Sequence, residues 1–121
     1  MFLLHQRLLP DGSIEHVHLR RADEHLELVV EGHAVGAVPL AALVAVMERY
    51  GRPLADAITV DGPSYDLGDA CSLHVLRHRA IFDVLPKDYV VLRRPGHEPL
   101  AELATAVTGA LSHLARAYAA S

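Results

Sequence analysis

The sequence of 121 residues contains a single cysteine, Cys71, so no disulfide bond can form within the chain. A chain of this length can bury a hydrophobic core large enough to fold without covalent cross-links. Because intracellular compartments keep thiols reduced, the simplest expectation is a cytoplasmic protein.

Long hydrophobic runs are also missing from the sequence. No stretch approaches the roughly eighteen consecutive apolar residues that a transmembrane helix requires. The N-terminal stretch MFLLHQRLLPDG places charged residues within a short apolar run and offers no small-residue cleavage site. We therefore expect neither export nor insertion into a membrane.

An excess of positive charge and the common catalytic motifs are absent as well. The formal net charge is −4 at pH 7, and the arginines are scattered rather than gathered in a stripe. Binding to a phosphate backbone needs a concentrated basic surface, so nucleic acid is not an expected partner. No GxSxG motif, phosphate loop or dinucleotide fingerprint is present, so the motifs indicate no enzyme class.

Apolar residues are what the sequence has in abundance. They make up 51% of the chain, against 21% charged residues, and the mean hydropathy is +0.21. A globular domain of this size needs slightly fewer, so the surplus indicates a buried subunit interface. We therefore predict a small non-catalytic subunit or accessory protein that acts through an apolar interface, by self-association or with a protein partner.

The pattern of short apolar runs predicts two groups of strands. Three N-terminal runs with turn-forming residues between them indicate an antiparallel β-meander over residues 2–9, 13–21 and 26–31. After an extended connector and a first helix, a second β-hairpin is predicted over residues 71–82 and 88–93. The irregular stretch between the first helix and this hairpin, residues 52–70, is expected to be a surface loop with one possible strand at residues 57–60.

Two helices are indicated by apolar spacing and by proline and glycine at their ends. The first runs from Pro39 to Gly51 and has almost no polar side, so we expect it to be buried within the chain or at a subunit interface. The second covers residues 99–118, where an apolar stripe faces a polar side containing Thr105, Ser112 and Arg116. Gly109 within it is expected to let another backbone approach closely.

Together these elements predict an α+β fold in a single domain spanning residues 1–121. Its parts are an antiparallel β-meander, a buried helix, a second β-hairpin and a C-terminal amphipathic helix that packs on the sheet. Because side chains alternate between the two faces of a strand, the pairing register decides which residues of the meander share a face.

Two registers are open at the first turn. A two-residue loop at Asp11-Gly12 would place Leu4 opposite Leu19 and would separate an apolar face from a histidine-bearing face. A three-residue loop with a bulge would instead place Leu4 opposite His18 and divide the apolar residues between both faces. The cleaner separation favours the two-residue loop.

The favoured register predicts one further feature, a row of His5, His18 and Glu27 across three neighbouring strands. Two imidazoles and a carboxylate in such a row are suited to a divalent transition metal, with open coordination positions. The alternative function is therefore a small metal-binding protein or metal-dependent enzyme, with His16 or His25 as the base. The same residues are also what a solvated sheet face would carry.

Overall fold

A computed structural model of the chain describes residues 2–55, 62, 64–82 and 85–120, without the side chain at position 120. The possible strand predicted at residues 57–60 lies outside this part of the chain. Two antiparallel sheets and two helices make up the described part, so the predicted α+β class is confirmed. No helix within it is long and apolar enough to cross a membrane.

The first sheet has four antiparallel strands in chain order, and it contains the predicted meander. Its strands are β1 (Phe2–Leu8), β2 (Ile14–Ala22), β3 (His25–Val30) and β4 (His33–Pro39). The connector expected at residues 33–38 is therefore a strand. It pairs with β3, where Leu26 lies opposite Val38, and the burial of both side chains stabilises the pair.

The second sheet has five strands in the order β5-β9-β8-β7-β6. Its strands are β5 (Arg52–Pro53), β6 (Ser64–Gly68), β7 (Cys71–Arg79), β8 (Lys87–Arg93) and β9 (Leu100–Leu103). The predicted hairpin of β7 and β8 is confirmed, and it forms the centre of a larger sheet. Each sheet thus contains a four-stranded meander, β1–β4 or β6–β9, that is directly followed by a helix.

The helices are α1 (Leu40–Tyr50) and α2 (Ala104–Ala120). Helix α1 begins and ends where Pro39 and Gly51 predicted. Helix α2 begins later than predicted, because residues 100–103 pair with the buried strand β8 instead. Helix α1 buries one side only, through Ala42, Leu43, Val46 and Met47, so burial within this chain is not the explanation of its apolar surface. The alternative, burial at a subunit interface, stays a prediction.

One hydrophobic cluster draws residues from both sheets and both helices. The C-terminal helix packs on the first sheet, as predicted, and it approaches β4 most closely at Gly36. A Cβ atom at Gly36 would lie 2.7 Å from Cβ of Ala115. Gly109, where a close backbone approach was predicted, has no described atom within 4 Å of its Cβ position, so that prediction is wrong.

Candidate functional site

The turn between β1 and β2 has the less favoured of the two registers. Leu8 pairs with Ile14, and the Leu9 amide donates to the Ser13 carbonyl at 2.8 Å, which closes a three-residue loop over residues 10–12. The preference for a two-residue loop is therefore wrong. The Pro-Asp-Gly sequence of the loop decides the register, because its glycine adopts a φ of 88° that other residues avoid.

A β-bulge at Leu4 then shifts the register again. Leu3 pairs with His18 and His5 pairs with Val17, so Leu4 is the additional residue on β1. A bulge lets two consecutive side chains point to the same side of a sheet. Leu4 is fully buried and His5 is only 9% exposed, so both enter the protein interior. His5 therefore lies on the inner face of the first sheet.

This geometry removes the row of possible metal ligands. His18 pairs with Val29, while Glu27 pairs with Arg20 and forms an ion pair with it, so the predicted His5–His18 and His18–Glu27 pairings are both wrong. Residues 2–55, 62, 64–82 and 85–120 contain no group of three histidine, cysteine or acidic side chains that could hold a metal ion. Metal binding by His5, His18 and Glu27 stays a prediction, without the row that motivated it.

The candidate base His16 lies on the outer face of the first sheet, whereas His25 borders a cavity that Ala115 and Tyr118 of α2 also line. His16 stacks with His18, with 6.5 Å between the ring centroids, and its Nδ1 lies 3.5 Å from the carboxylate of Glu31. Burial, with a smaller contribution from His16, lowers the pKa of His18. His25 is exposed at the start of β3. A catalytic role for His16 or His25 stays a prediction.

The inward turn of His5 places it in a cleft of about 510 Å³ between the first sheet and α2. The strand side of the cleft combines apolar and charged residues: His5, Arg7, Glu15, Val17, Val30 and Val35. The helix side carries small residues and one arginine: Thr105, Thr108, Gly109, Ser112 and Arg116. These helix positions are three or four residues apart, so they form one continuous stripe.

Two polar side chains in this cleft lack hydrogen-bond partners among the described residues. Both ring nitrogens of His5 and the hydroxyl of Thr108 are buried, and no described group bonds to them. Leaving such a group unsatisfied costs about 1–3 kcal/mol. Burial lowers the pKa of His5 below 6.5, Asp88 opposes this shift, and Arg77 adds to it. Burial therefore disfavours the protonated form of the His5 ring.

On its other side His5 borders a second cavity, of about 430 Å³, that Asp88 and His78 also line. Both carboxylate oxygens of Asp88 are already used: one accepts from the Arg77 guanidinium and the other from the His78 amide, each at 2.9 Å. Burial would raise the pKa of Asp88, but these hydrogen bonds outweigh it and hold the pKa below 3.8. Asp88 thus holds Arg77 and His78 of the neighbouring strand β7 within the second sheet.

A separate groove of about 550 Å³ lies between α1 and α2. Its walls consist largely of small and apolar side chains: Ala42, Ala45, Val46, Arg49, Tyr50, Ala110, His113, Leu114 and Tyr118. Tyr50 is 50% exposed and Tyr118 is 48% exposed, so both aromatic rings are accessible at the surface. This groove is one uncovered part of the apolar surplus noted in the sequence.

No family model, curated protein or solved structure matches this chain. Its cleft and groove are therefore interpreted from their own residues. The sequence did indicate the polar side of α2, which now lines the cleft. The sequence did not indicate that His5 would also line this cleft. The alternating pattern of side chains along β1 carries no sign of the bulge that turns the His5 ring inward.

Proposed function

We propose that this chain is a non-catalytic accessory protein that binds an amphipathic helix of a partner protein in the groove between α1 and α2. The observation that carries this proposal is an open apolar groove bordered by two half-exposed tyrosines, Tyr50 and Tyr118. Helix-in-groove recognition uses this kind of surface, with apolar anchors spaced along one helix face.

The small side chains in the groove favour a helix as the occupant. Ala42, Ala45 and Ala110 line it, and alanine side chains allow another backbone to approach closely. Tyr50 and Tyr118 add aromatic area, which is enriched at the centres of protein interfaces. Apolar side chains of a partner helix would therefore contact apolar side chains along the length of the groove.

The charge of the groove favours a partner that carries acidic residues. Arg49 and His113 line it, and no acidic residue of the described part of the chain does. Arg49 stacks over the Tyr50 ring at 5.2 Å and has no ion-pair partner in the described part of the chain. A twofold dimer centred on this groove would add only the same two basic side chains, Arg49 and His113, whereas glutamates on a different chain would complement them.

A pair of designed peptides tests the proposal. Both are amphipathic helices with leucines at positions i, i+3, i+4 and i+7, one flanked by glutamates and the other by lysines. We expect the glutamate peptide to bind more tightly and to shift the amide NMR signals of α1 and α2. Equal affinity of the two peptides would refute the charge complementarity. NMR shifts confined to the two sheets would refute the binding site.

A matched pair of variants locates the interaction. Ala45→Arg blocks the groove, while Ala41→Arg adds the same side chain at an exposed position of α1 that does not line it. Only the first variant should lose the peptide. If light scattering instead shows a wild-type dimer that Ala45→Arg alone converts to a monomer, the occupant is a second copy of this chain and the proposed partner is wrong.

A further inference from the structure

We propose that the cleft between the first sheet and α2 is a binding site for a small monocarboxylate with an apolar chain. This ligand site is separate from the interhelical groove and does not depend on the partner proposed for it. The cleft volume of about 510 Å³ lies within the range of about 300–1,000 Å³ that is typical of small-molecule sites.

The strand side of the cleft suits an apolar chain. Val17 and Val30 lie opposite each other on β2 and β3, and Val35 on β4 extends the same wall. Val35 is 51% exposed, so it presents apolar surface that an occupant could cover. Gly109 faces this wall from α2 and leaves its Cβ position open, which keeps the space between helix and sheet free.

The charges of the cleft favour a single negative charge on the ligand. Arg7 and Glu15 form an ion pair at 2.8 Å and so neutralise each other. Arg116 has no ion-pair partner in the described part of the chain, and burial disfavours a charge on the His5 ring. The cleft therefore has one uncompensated positive charge. Because guanidinium groups bind carboxylates through two parallel hydrogen bonds, a monocarboxylate matches it.

Hydroxyl groups on α2 complete the polar end of the proposed site. Ser112 lies one helical turn before Arg116, so both side chains can reach the same carboxylate. Thr105 and Thr108 continue this polar stripe along the helix towards His5. A carboxylate accepts hydrogen bonds only, and all of these groups can donate them.

The unbonded His5 ring is the second, independent indication of a ligand. It is more than nine-tenths buried and lines the cleft, and neither of its nitrogens has a hydrogen-bond partner within the described ranges. Unsatisfied buried polar groups are rare in native proteins and are found at functional sites. The χ2 torsion of histidine is soft, so a small rotation of the ring would bring one nitrogen to the surface of an occupied cleft.

Titration with octanoate, followed in amide and histidine-ring NMR spectra, tests the proposal. Octanol and octylamine serve as ligands of similar length with no charge or a positive charge. We expect octanoate alone to give saturable shifts centred on the polar stripe of α2 and on the His5 ring. Equal binding of octanol would contradict the carboxylate, and stronger binding of octylamine would contradict the sign of the charge.

Three variants test where octanoate binds. Arg116→Gln should weaken binding by about fivefold to tenfold, the usual effect of losing a charged hydrogen bond at a partly exposed site. Gly109→Leu should abolish binding by filling the cleft. Ala106→Leu, at an exposed position of α2 that does not line the cleft, should bind as the wild type does.

Two outcomes would overturn the site. One is wild-type affinity for octanoate in a Gly109→Leu variant whose circular dichroism spectrum is native, because octanoate would then bind although the leucine fills the cleft. The other is loss of binding in Arg49→Gln but not in Arg116→Gln, which would place octanoate in the interhelical groove. Circular dichroism and thermal unfolding of every variant separate loss of binding from loss of fold.

Discussion

The guanidinium of Arg77 on β7 donates a hydrogen bond to the backbone carbonyl of Leu3 at 2.8 Å, next to the bulge in β1. The same guanidinium forms an ion pair with Asp88 at 2.9 Å, and both side chains of this pair are more than three-quarters buried. One side chain of the second sheet therefore holds the strand of the first sheet at the point where its register changes.

Replacing Arg77 with methionine removes both interactions and leaves the Asp88 carboxylate without its cation. We expect the free energy of unfolding to fall by about 2–4 kcal/mol, since breaking a largely buried pair leaves an uncompensated charge. Urea unfolding measures this loss. Arg77→Lys keeps the charge and should lose less. If Arg77→Met unfolds at the wild-type urea concentration, the connection between the sheets contributes nothing to stability.

Replacing His5 with leucine should stabilise the protein. The substitution removes two unbonded ring nitrogens from a buried position next to Leu4, so we expect a gain of about 1–2 kcal/mol in the free energy of unfolding. His16→Leu, at a partly exposed position on the outer face, is the control and should give no such gain. A less stable His5→Leu protein would mean that the ring makes stabilising contacts that outweigh its unbonded nitrogens.

The lowered pKa of His5 predicts how stability depends on pH. Because the folded protein holds this pKa below 6.5, the unfolded chain binds the proton first as the pH falls. Titration of His5 therefore leaves stability unchanged above pH 6.5 and lowers it as the pH falls towards the folded-state pKa. Asp88 and Glu15 oppose the shift, while Arg77 and Arg7 add to it.

The measurement is urea unfolding of the wild type and of His5→Leu at a series of pH values below 7. His18 and His74 also have lowered pKa values and give a slope of the same sign, so only the difference between the two proteins reports on His5. We expect the wild type to lose more stability than the variant as the pH falls. Parallel curves would show that His5 is readily protonated in the folded protein.

The inner face of the meander could be predicted from the sequence even though its register could not. The favoured register placed Phe2, Leu4, Leu8, Val17 and Leu19 on one apolar face. All of them are buried except Leu8, which is 73% exposed. The three-residue turn shifts the pairing by one position, and the bulge at Leu4 shifts it again, so the four buried residues still share the inner face. Alternation alone cannot indicate a bulge, because the bulge depends on contacts from β7 that are distant in the sequence.

Two nearly identical segments show why the start of α2 was misplaced. Residues 39–43 read PLAAL and residues 99–103 read PLAEL, yet the first leads into α1 and the second forms β9. Proline followed by helix-forming residues predicts a helix in both places. Only residues 100–103 lie between two strands, β5 and β8, whose backbone groups they satisfy. Tertiary pairing therefore overrides the local preference.

The close approach of α2 to β4 at Gly36 gives a final prediction. A methyl group on Gly36 would lie 2.7 Å from Cβ of Ala115, so Gly36→Ala should displace the helix and lower the free energy of unfolding by about 1–3 kcal/mol. Ala115→Gly removes the clashing atom and should recover part of this loss, although glycine itself destabilises the helix interior by about 1 kcal/mol.

Urea unfolding of both single variants and of the double variant measures this coupling. Residues in contact give non-additive effects, so the double variant should be more stable than the sum of the two single losses predicts. Gly109→Ala is the matched control, because its Cβ position is open and alanine favours a helix; it should raise stability by up to about 1 kcal/mol. Additive losses at Gly36 and Ala115 would mean that α2 does not pack against β4 through these two residues. A destabilised Gly109→Ala protein would likewise contradict the open space on the cleft side of α2, which the proposed carboxylate site requires.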